Sequence, residues 1–528
     1  MLALAAGITC LSSSCTKDLD QTPDYSANAE VVYSDPAQIE QVLARLYATF
    51  AVSGQTGPAG QPDISGIDEG FSNYIRVYWQ LQELPTDEAV LGWNDGNLPA
   101  VNTLQWNADN EFVRGAYDRI YYEISLCNEF VRQTSDANLA SRGISGTSAN
   151  TVRTYRSEAR LIRAMCYWHI IDLFGGGPFA TETSTIGTNP PYATRQALFT
   201  YVESELKALE GFDTNNGALL APRAVYGRAD QGMCWTLLSK LYLNARIYTE
   251  AKTERSAEAL TYANKVLGAG YVLSPSYANL FLADNNTTAA SREAIFPVLF
   301  DGLRTKGYGG MTFLVHAPVG RAIPAASIGI NSGWTGIRAK QNLTAMLNNA
   351  GVDDSRRALQ VTRGQNPNVD TLSVFTSGVL IPKFKNVTST GRAGSDTEGN
   401  FPDTDFQMFR LADVELMAAE AIMRSGGSAA DALTHVNNVR VRSNSPRLTA
   451  FTDWQTDILA ERARELFWEG HRRTDLIRFG KFATGNNWPF KGGVQAGRDV
   501  DAYRALFPLP NTDIVANPNL QGRQNPGY

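Results

Sequence analysis

The stretch ERARELFWEGHRRTDLIRFGKF at Glu461–Phe482 concentrates carboxylates, guanidinium groups and a histidine. A glutamate beside a histidine is the raw material of general acid–base catalysis. Such chemistry also needs a nucleophile, a metal or an oxyanion donor, and no recognisable motif elsewhere in the chain supplies one. Glu461, Glu465 and Glu469 stand at i, i+4 and i+8, one line on a helix, where like charges repel unless cations come between them. Arg462, Arg464, Arg472 and Arg473 are at hand for that purpose. Leu459, Ala463, Leu466 and Phe467 form an apolar stripe, and Gly470 is placed to end the helix. The stretch is read as scaffold.

Other constellations are weighed the same way. Asp87 and Glu88 in LPTDEAV invite comparison with the two carboxylates of a glycosidase, but neighbouring residues diverge on a helix. The same letters suit a helix start, with Thr86 capping and acids in the first turn. Gly175-Gly176-Gly177 follows a helical run and precedes Pro178, the order of a helix exit and not of a phosphate loop. His169, His316, His435 and His471 have no ligand spacing and are expected to be structural, with His316 in a position to line a site. Cys127, Cys166 and Cys234 each sit in an apolar helical pattern and read as buried thiols. A structural calcium would draw on loop carboxylates such as those in the DNN and DDS clusters.

One pattern does suit recognition. Sugars need flat apolar rings to stack on and planar polar groups for their hydroxyls. Trp93 in WNDGN, Trp334 in NSGWTGIR and Tyr308 in KGYGG each have glycine close by, which suits exposed loops. Trp168, Trp235 and Trp468 lie in helical stripes and are expected in the core.

The elements that must carry these loops are mostly helical. Apolar residues recur at steps of three and four over Asn110–Thr134, Thr151–Phe174, Arg195–Leu209, Ala229–Tyr248, Ala257–Leu267, Leu411–Arg424 and Ala429–Val441. Several come as neighbouring pairs, a loose version of the tetratricopeptide pattern in which each pair buries its face on the next. The fold class is mainly α: a tetratricopeptide-like helical repeat scaffold with a loop-rich ligand-binding half. Two segments, Ser53–Trp106 and Ser274–Phe409, lose the helical period and hold many aromatics. Long irregular segments of that kind are usually functional, and recognition is expected there. The proline-rich end of the chain is expected to be extended and turn-rich.

Across 528 residues a net charge of −6 with no basic run speaks against nucleic acid. The opening MLALAAGITCLSSSC has an apolar run of about ten residues, too short to span a bilayer and suited to a secretory signal. The basic residues usual ahead of such a run are missing, so the true start is expected upstream. Residues 1–14 are read as signal peptide, with Cys15, after Leu11-Ser12-Ser13-Ser14, as the lipidated first residue of the mature chain. Residues 15–528 are read as a single domain.

Taken in order, SCTKDLDQTP, LQELPTDEAV, YRSEARLIRAMCYWHIIDLFGGGPF, WTLLSKLYLNA, RLADVELMAAEAI, ERARELFWEGHRRTDLIRFGKF and FPLPNTDIVANPNLQGRQNPGY resemble the SusD/RagB family over nearly the whole mature chain. The resemblance implies four tetratricopeptide-like helix pairs and a loop-rich half bearing the site. It implies a non-enzymatic, lipid-anchored receptor on the outer-membrane surface. Such a receptor captures oligosaccharides, or peptides in some branches, for a SusC-like TonB-dependent transporter. FPVLFDGLRTKGYGGMTFLVHA at Phe296–Ala317 looks most like the branch that binds starch-type α-glucans. By that resemblance Trp93, Trp334 and Tyr308 form an aromatic arc for a helical glucan, with Asn97 and Arg76 as hydrogen-bonding partners.

Overall fold

The computed structural model describes residues 29–54 and 57–528; Cys10, Cys15 and the signal segment lie outside them. Helices dominate: α1 (Pro36–Ala51), α2 (Tyr74–Glu83), α3 (Glu111–Gln133), α4 (Gly146–Leu173), α5 (Arg195–Glu210), α6 (Gln231–Leu243), α7 (Ser256–Leu267), α8 (Gly310–His316), α9 (Leu411–Arg424), α10 (Ala429–Arg442), α11 (Trp454–Leu466) and α12 (Arg472–Arg478). Several shorter turns of helix connect them. Several of the long helices start at a side-chain cap: the Asn110 side chain accepts from the Phe112 and Val113 amides, and Asp230 accepts from that of Met233. Gly175, at φ +78°, turns the chain out of α4.

From α3 to α7, and then to α9 and α10, each helix packs on its neighbour, as a helical-repeat stack requires. The α4 helix, roughly 42 Å long at 1.5 Å per residue, is buried along its whole second half. Trp168 and Trp468 are in the core, as their stripes imply, while Trp235 is half-buried. Cys127, Cys166 and Cys234 are buried free thiols.

Sheet is sparse. β1 (Ala89–Leu91) pairs antiparallel with β3 (Ile337–Ala339), and β2 (Ala294–Val298) with β4 (Phe406–Arg410). The first ribbon ties the two loop-rich segments to each other, and the second joins the two ends of segment 274–409 just ahead of α9. Segment 53–106 is less irregular than its composition suggests, because α2 lies inside it and is buried on every side. Tyr74, Tyr78, Trp79 and Trp106, expected near recognition, are instead core. The same holds for Tyr277, Phe281, Phe313 and Phe384 in 274–409. At the C-terminus a six-residue helix, Asn511–Ala516, begins behind Pro510 within an otherwise turn-rich path.

The two charged motifs meet. Glu461 and Glu465 lie on α11, which stops at Leu466; Phe467 is extended and Trp468 sits at φ +63°. Glu469 is therefore on the turn and not on the helix, which stops short of where Gly470 alone would have ended it. Arg410 joins Glu469, Glu465 and Glu293 at 2.6, 2.6 and 2.8 Å, and Arg356 joins Glu461 at 2.7 Å and Glu465 at 3.1 Å. Lys383 reaches Glu469 at 2.6 Å, and Arg440 and Arg464 reach Glu461 at 2.7 and 2.8 Å. Most of the intercalating cations thus come from distant segments. Burial pushes Glu465 up, but Arg442, Arg410 and Arg356 outweigh it and hold it at about 2.

No helix begins at TDEAV. Thr86 donates to the Glu83 carbonyl at 2.6 Å, Asp87 receives Arg472 at 2.7 Å, and the chain runs straight into β1. A buried carboxylate needs a cation more than a helix dipole, and α12 supplies it. His169 accepts or donates at Tyr74 Oη (2.6 Å), His435 meets Glu415 (2.6 Å), and burial lowers His471 to about 4. Asp354 is engaged by Arg356 and Asp284 by Ser389. Among the described residues no group of three or more His, Cys, Asp or Glu is arranged to hold a metal.

Candidate functional site

Trp93 follows β1, and Trp334 precedes β3, so the β1–β3 ribbon brings both loops to one end of the protein. Their rings have centroids 6.3 Å apart at 47°. Tyr308 adds a third ring, 6.4 Å from Trp334 at 58°, and packs on Phe401 at 5.8 Å. Both tryptophans are half-buried and Tyr308 is 39% exposed. The three rings, inclined to one another and each partly exposed, form a continuous apolar strip. An apolar hollow of about 340 Å³ between α1 and β2, lined by Leu43, Tyr47, Phe50 and Leu299, shares no residue with that strip.

The strip is braced from behind. Trp93 packs edge-on against Phe313 of α8 at 5.9 Å, and His316 stacks on Trp334 at 4.8 Å and 28°. The last carbonyls of α8 would be orphans, and the Trp334 loop satisfies them. Trp334 N–H donates to the His316 carbonyl at 2.9 Å, and the Gly336 and Ile337 amides donate to the Ala317 carbonyl at 2.7 and 3.0 Å. Thr335 accepts a left-handed φ of +52° to complete this path, a strained conformation for a β-branched residue. Gly336 is glycine for a spatial reason: a Cβ there would stand 2.6 Å from the Trp93 ring.

Arg76, on α2, is only 3% exposed, so it is not a free arm at the surface. Its Cζ lies 4.4 Å from the Phe71 ring centroid, 4.5 Å from Phe313 and 5.7 Å from Trp93, an arrangement stabilised by cation–π attraction. Burial drives its pKa down to about 9, with Asp95, Asp68 and Glu69 pulling the other way. Nη1 donates to the Tyr308 carbonyl at 3.3 Å, while Nε and Nη2 are buried with no partner. Natural interiors rarely leave such donors idle.

Asn97 has a different employment. Its side chain accepts from the Glu111 amide at 3.1 Å and donates to the Asp109 carbonyl at 3.3 Å, fastening the WNDGN turn to the start of α3. The structure therefore brings Trp93, Trp334, Tyr308 and Arg76 together, and engages Asn97 on backbone nearby. Sequence reasoning placed Phe313 and His316 in the recognition segment but missed that they brace the strip from behind. Both lie in MTFLVHA, and an aromatic and a histidine three residues apart on a helix are the signal that was available.

The arrangement offers ring faces and a few fixed donors, groups suited to holding a ligand. Comparison with known proteins agrees. The SusD family profile matches residues 334–528. The starch-binding protein SusD of Bacteroides thetaiotaomicron is 33% identical over 99% of this chain and 97% of its own length. A SusD-like protein of Bacteroides ovatus is 22% identical over 98% of this chain and 96% of that one. Surface glycan-binding protein A from B. thetaiotaomicron in complex with laminarihexaose superposes with a TM-score of 0.67 at 18% identity, covering 93% of this chain and 99% of that one. This chain belongs to the SusD family, whose members are non-catalytic binding proteins.

Proposed function

We propose that the protein is a cell-surface receptor that captures starch-type α-glucans on the Trp93–Trp334–Tyr308 strip and passes them to a SusC-like TonB-dependent transporter in the outer membrane. The observation that carries this reading is the run of three partly exposed rings at successive centroid spacings of 6.3 and 6.4 Å, tilted by 47° and 58° to their neighbours, which offers successive faces to the successive sugars of one chain. Each ring offers apolar area at small conformational cost. The idle Nε–H and Nη2–H of Arg76 are donors for sugar hydroxyls once a ligand or water reaches them. Asn97 holds the loop in place and contributes to binding through that. The relative named as starch-binding supports the α-glucan choice. The structures named for laminarin share the fold at 18 to 21% identity and bear on architecture alone. Anchoring through a lipidated Cys15, after removal of residues 1–14, completes the proposal, with residues 15–528 acting as one domain.

Affinity electrophoresis through a panel of polysaccharides tests it. Starch-type polymers should retard the protein most, and Trp93→Ala and Trp334→Ala should run unretarded. Equal retardation of both variants and the parent would remove the strip as the site. Preference for a β-glucan would keep the receptor and change its ligand.

A further inference from the structure

His316 is 1% exposed, at the C-terminal end of α8, with its ring stacked on Trp334. Its Nδ1 lies 2.7 Å from the Ser332 carbonyl oxygen and its Nε2 lies 2.9 Å from the Asn400 carbonyl oxygen. Both partners are acceptors only. A neutral imidazole donates through one nitrogen and would turn a lone pair toward the other carbonyl; only the imidazolium donates to both. The two carbonyls belong to different segments, the Trp334 loop and the 396–400 turn, which also meet through Asn331 Nδ2 and Asn400 Oδ1 at 2.6 Å. The cation also sits where the helix dipole favours it and where it faces the π-cloud of Trp334.

We propose that protonation of His316 clasps these two segments and locks Trp334 in its binding pose, so that ligand capture is proton-linked. The proposal rests on the strip being the glycan site. Burial lowers the pKa of the imidazole and the two carbonyls raise it, with the net direction downward. Protonation therefore falls on the acid side of the ordinary histidine range. No described residue forms an ion pair with the ring. On the 396–400 turn, Asp396 gives its carboxylate to the Asn400 and Phe401 amides; Lys306 lies over Phe401; Tyr308 lies against Trp334; Arg76 faces Phe313 from α2. A charge gained on the ring therefore falls directly on its two carbonyl contacts.

The experiment uses the full mature chain, labelled with ¹⁵N; with four histidines in the sequence the ring signals are assignable by substitution. As pH falls from 8 to 5, both His316 ring nitrogens should move to imidazolium shifts. Maltoheptaose affinity should rise by on the order of five-fold over the same range, and bound sugar should raise the titration midpoint. His316→Gln should remove the pH dependence while still binding. A ring that stays singly protonated to pH 5, or an affinity that is flat across that range, overturns the proposal. Should no glycan bind at any pH, the functional reading fails, and the ring titration alone decides whether the clasp exists.

Discussion

The indole N–H of Trp93 donates to the carbonyl oxygen of Trp334 at 3.3 Å. One aromatic of the strip thus orients the backbone that carries the other. Trp334→Ala removes a ring face and should weaken α-glucan binding at least ten-fold, about 1.4 kcal/mol. Trp93→Phe keeps the packing on Phe313 but loses the donor, and a smaller loss is expected. Isothermal titration with maltoheptaose measures both. A Trp334→Ala protein that binds like the parent contradicts the assignment.

Gly336→Ala probes the strip without touching a ring. The added Cβ would stand 2.6 Å from Trp93 and 2.8 Å from Leu91, so the Trp93 ring must move. Affinity should fall by about the same factor as for Trp93→Ala, while the melting temperature drops only a few degrees, the range expected for about 1 kcal/mol in a large domain. An unchanged affinity would mean that the pose of Trp93 is irrelevant to binding.

Arg410 holds three buried glutamates together. Arg410→Met leaves carboxylates without their cation and should cost about 3–5 kcal/mol, read from urea unfolding. A loss below 1 kcal/mol would show that Arg356, Arg442 and Lys383 suffice.

Stability should depend on pH in two windows. Glu465 is held at about 2, below its ordinary 4.5, so its contribution is full above pH 4.5 and is lost as pH falls toward 2. Glu123 behaves oppositely: burial raises it to about 7 against hydrogen bonds from Thr49 and Cys127. Its effect is that stability declines as pH rises from 4.5 to 7 and then levels. His471, lowered to about 4 by burial, works the other way as pH rises toward 6.5, so the Glu123 contribution is read as a difference between two sets of thermal melts. The stability of Glu123→Gln relative to the parent should rise from pH 4.5 to 7, and a difference that falls over that range would refute the sign.

The helices were legible because burial on one face imposes a period, and Glu111–Gln133 differs from its sequence reading by one residue at each end. Tyr308 was legible as an exposed ring because glycine marks its turn, whereas Trp93 and Trp334, read the same way, are half-buried against α8. What periodicity does not carry is long-range pairing. Asp87 gave no local sign that its cation would be Arg472, far along the chain, so LPTDEAV looked like a helix start. Arg76 and Asn97 show the same gap. A polar side chain states what it can bond to, and only the tertiary fold decides whether a ring, a carbonyl or a ligand arrives. The α2 helix was legible and was overlooked: YIRVYWQLQE sets Arg76, Gln80 and Glu83 at i, i+4 and i+7, a polar stripe with a helical period, although the fold buries that face too.

The bolting of the Trp334 loop onto the carbonyl end of α8 has an evolutionary consequence. Its anchorage uses main-chain amides, which every amino acid except proline provides, while the charged lattice that secures the stack lies elsewhere and is indifferent to what the loop displays. A lineage can therefore exchange the displayed rings without rebuilding the framework beneath.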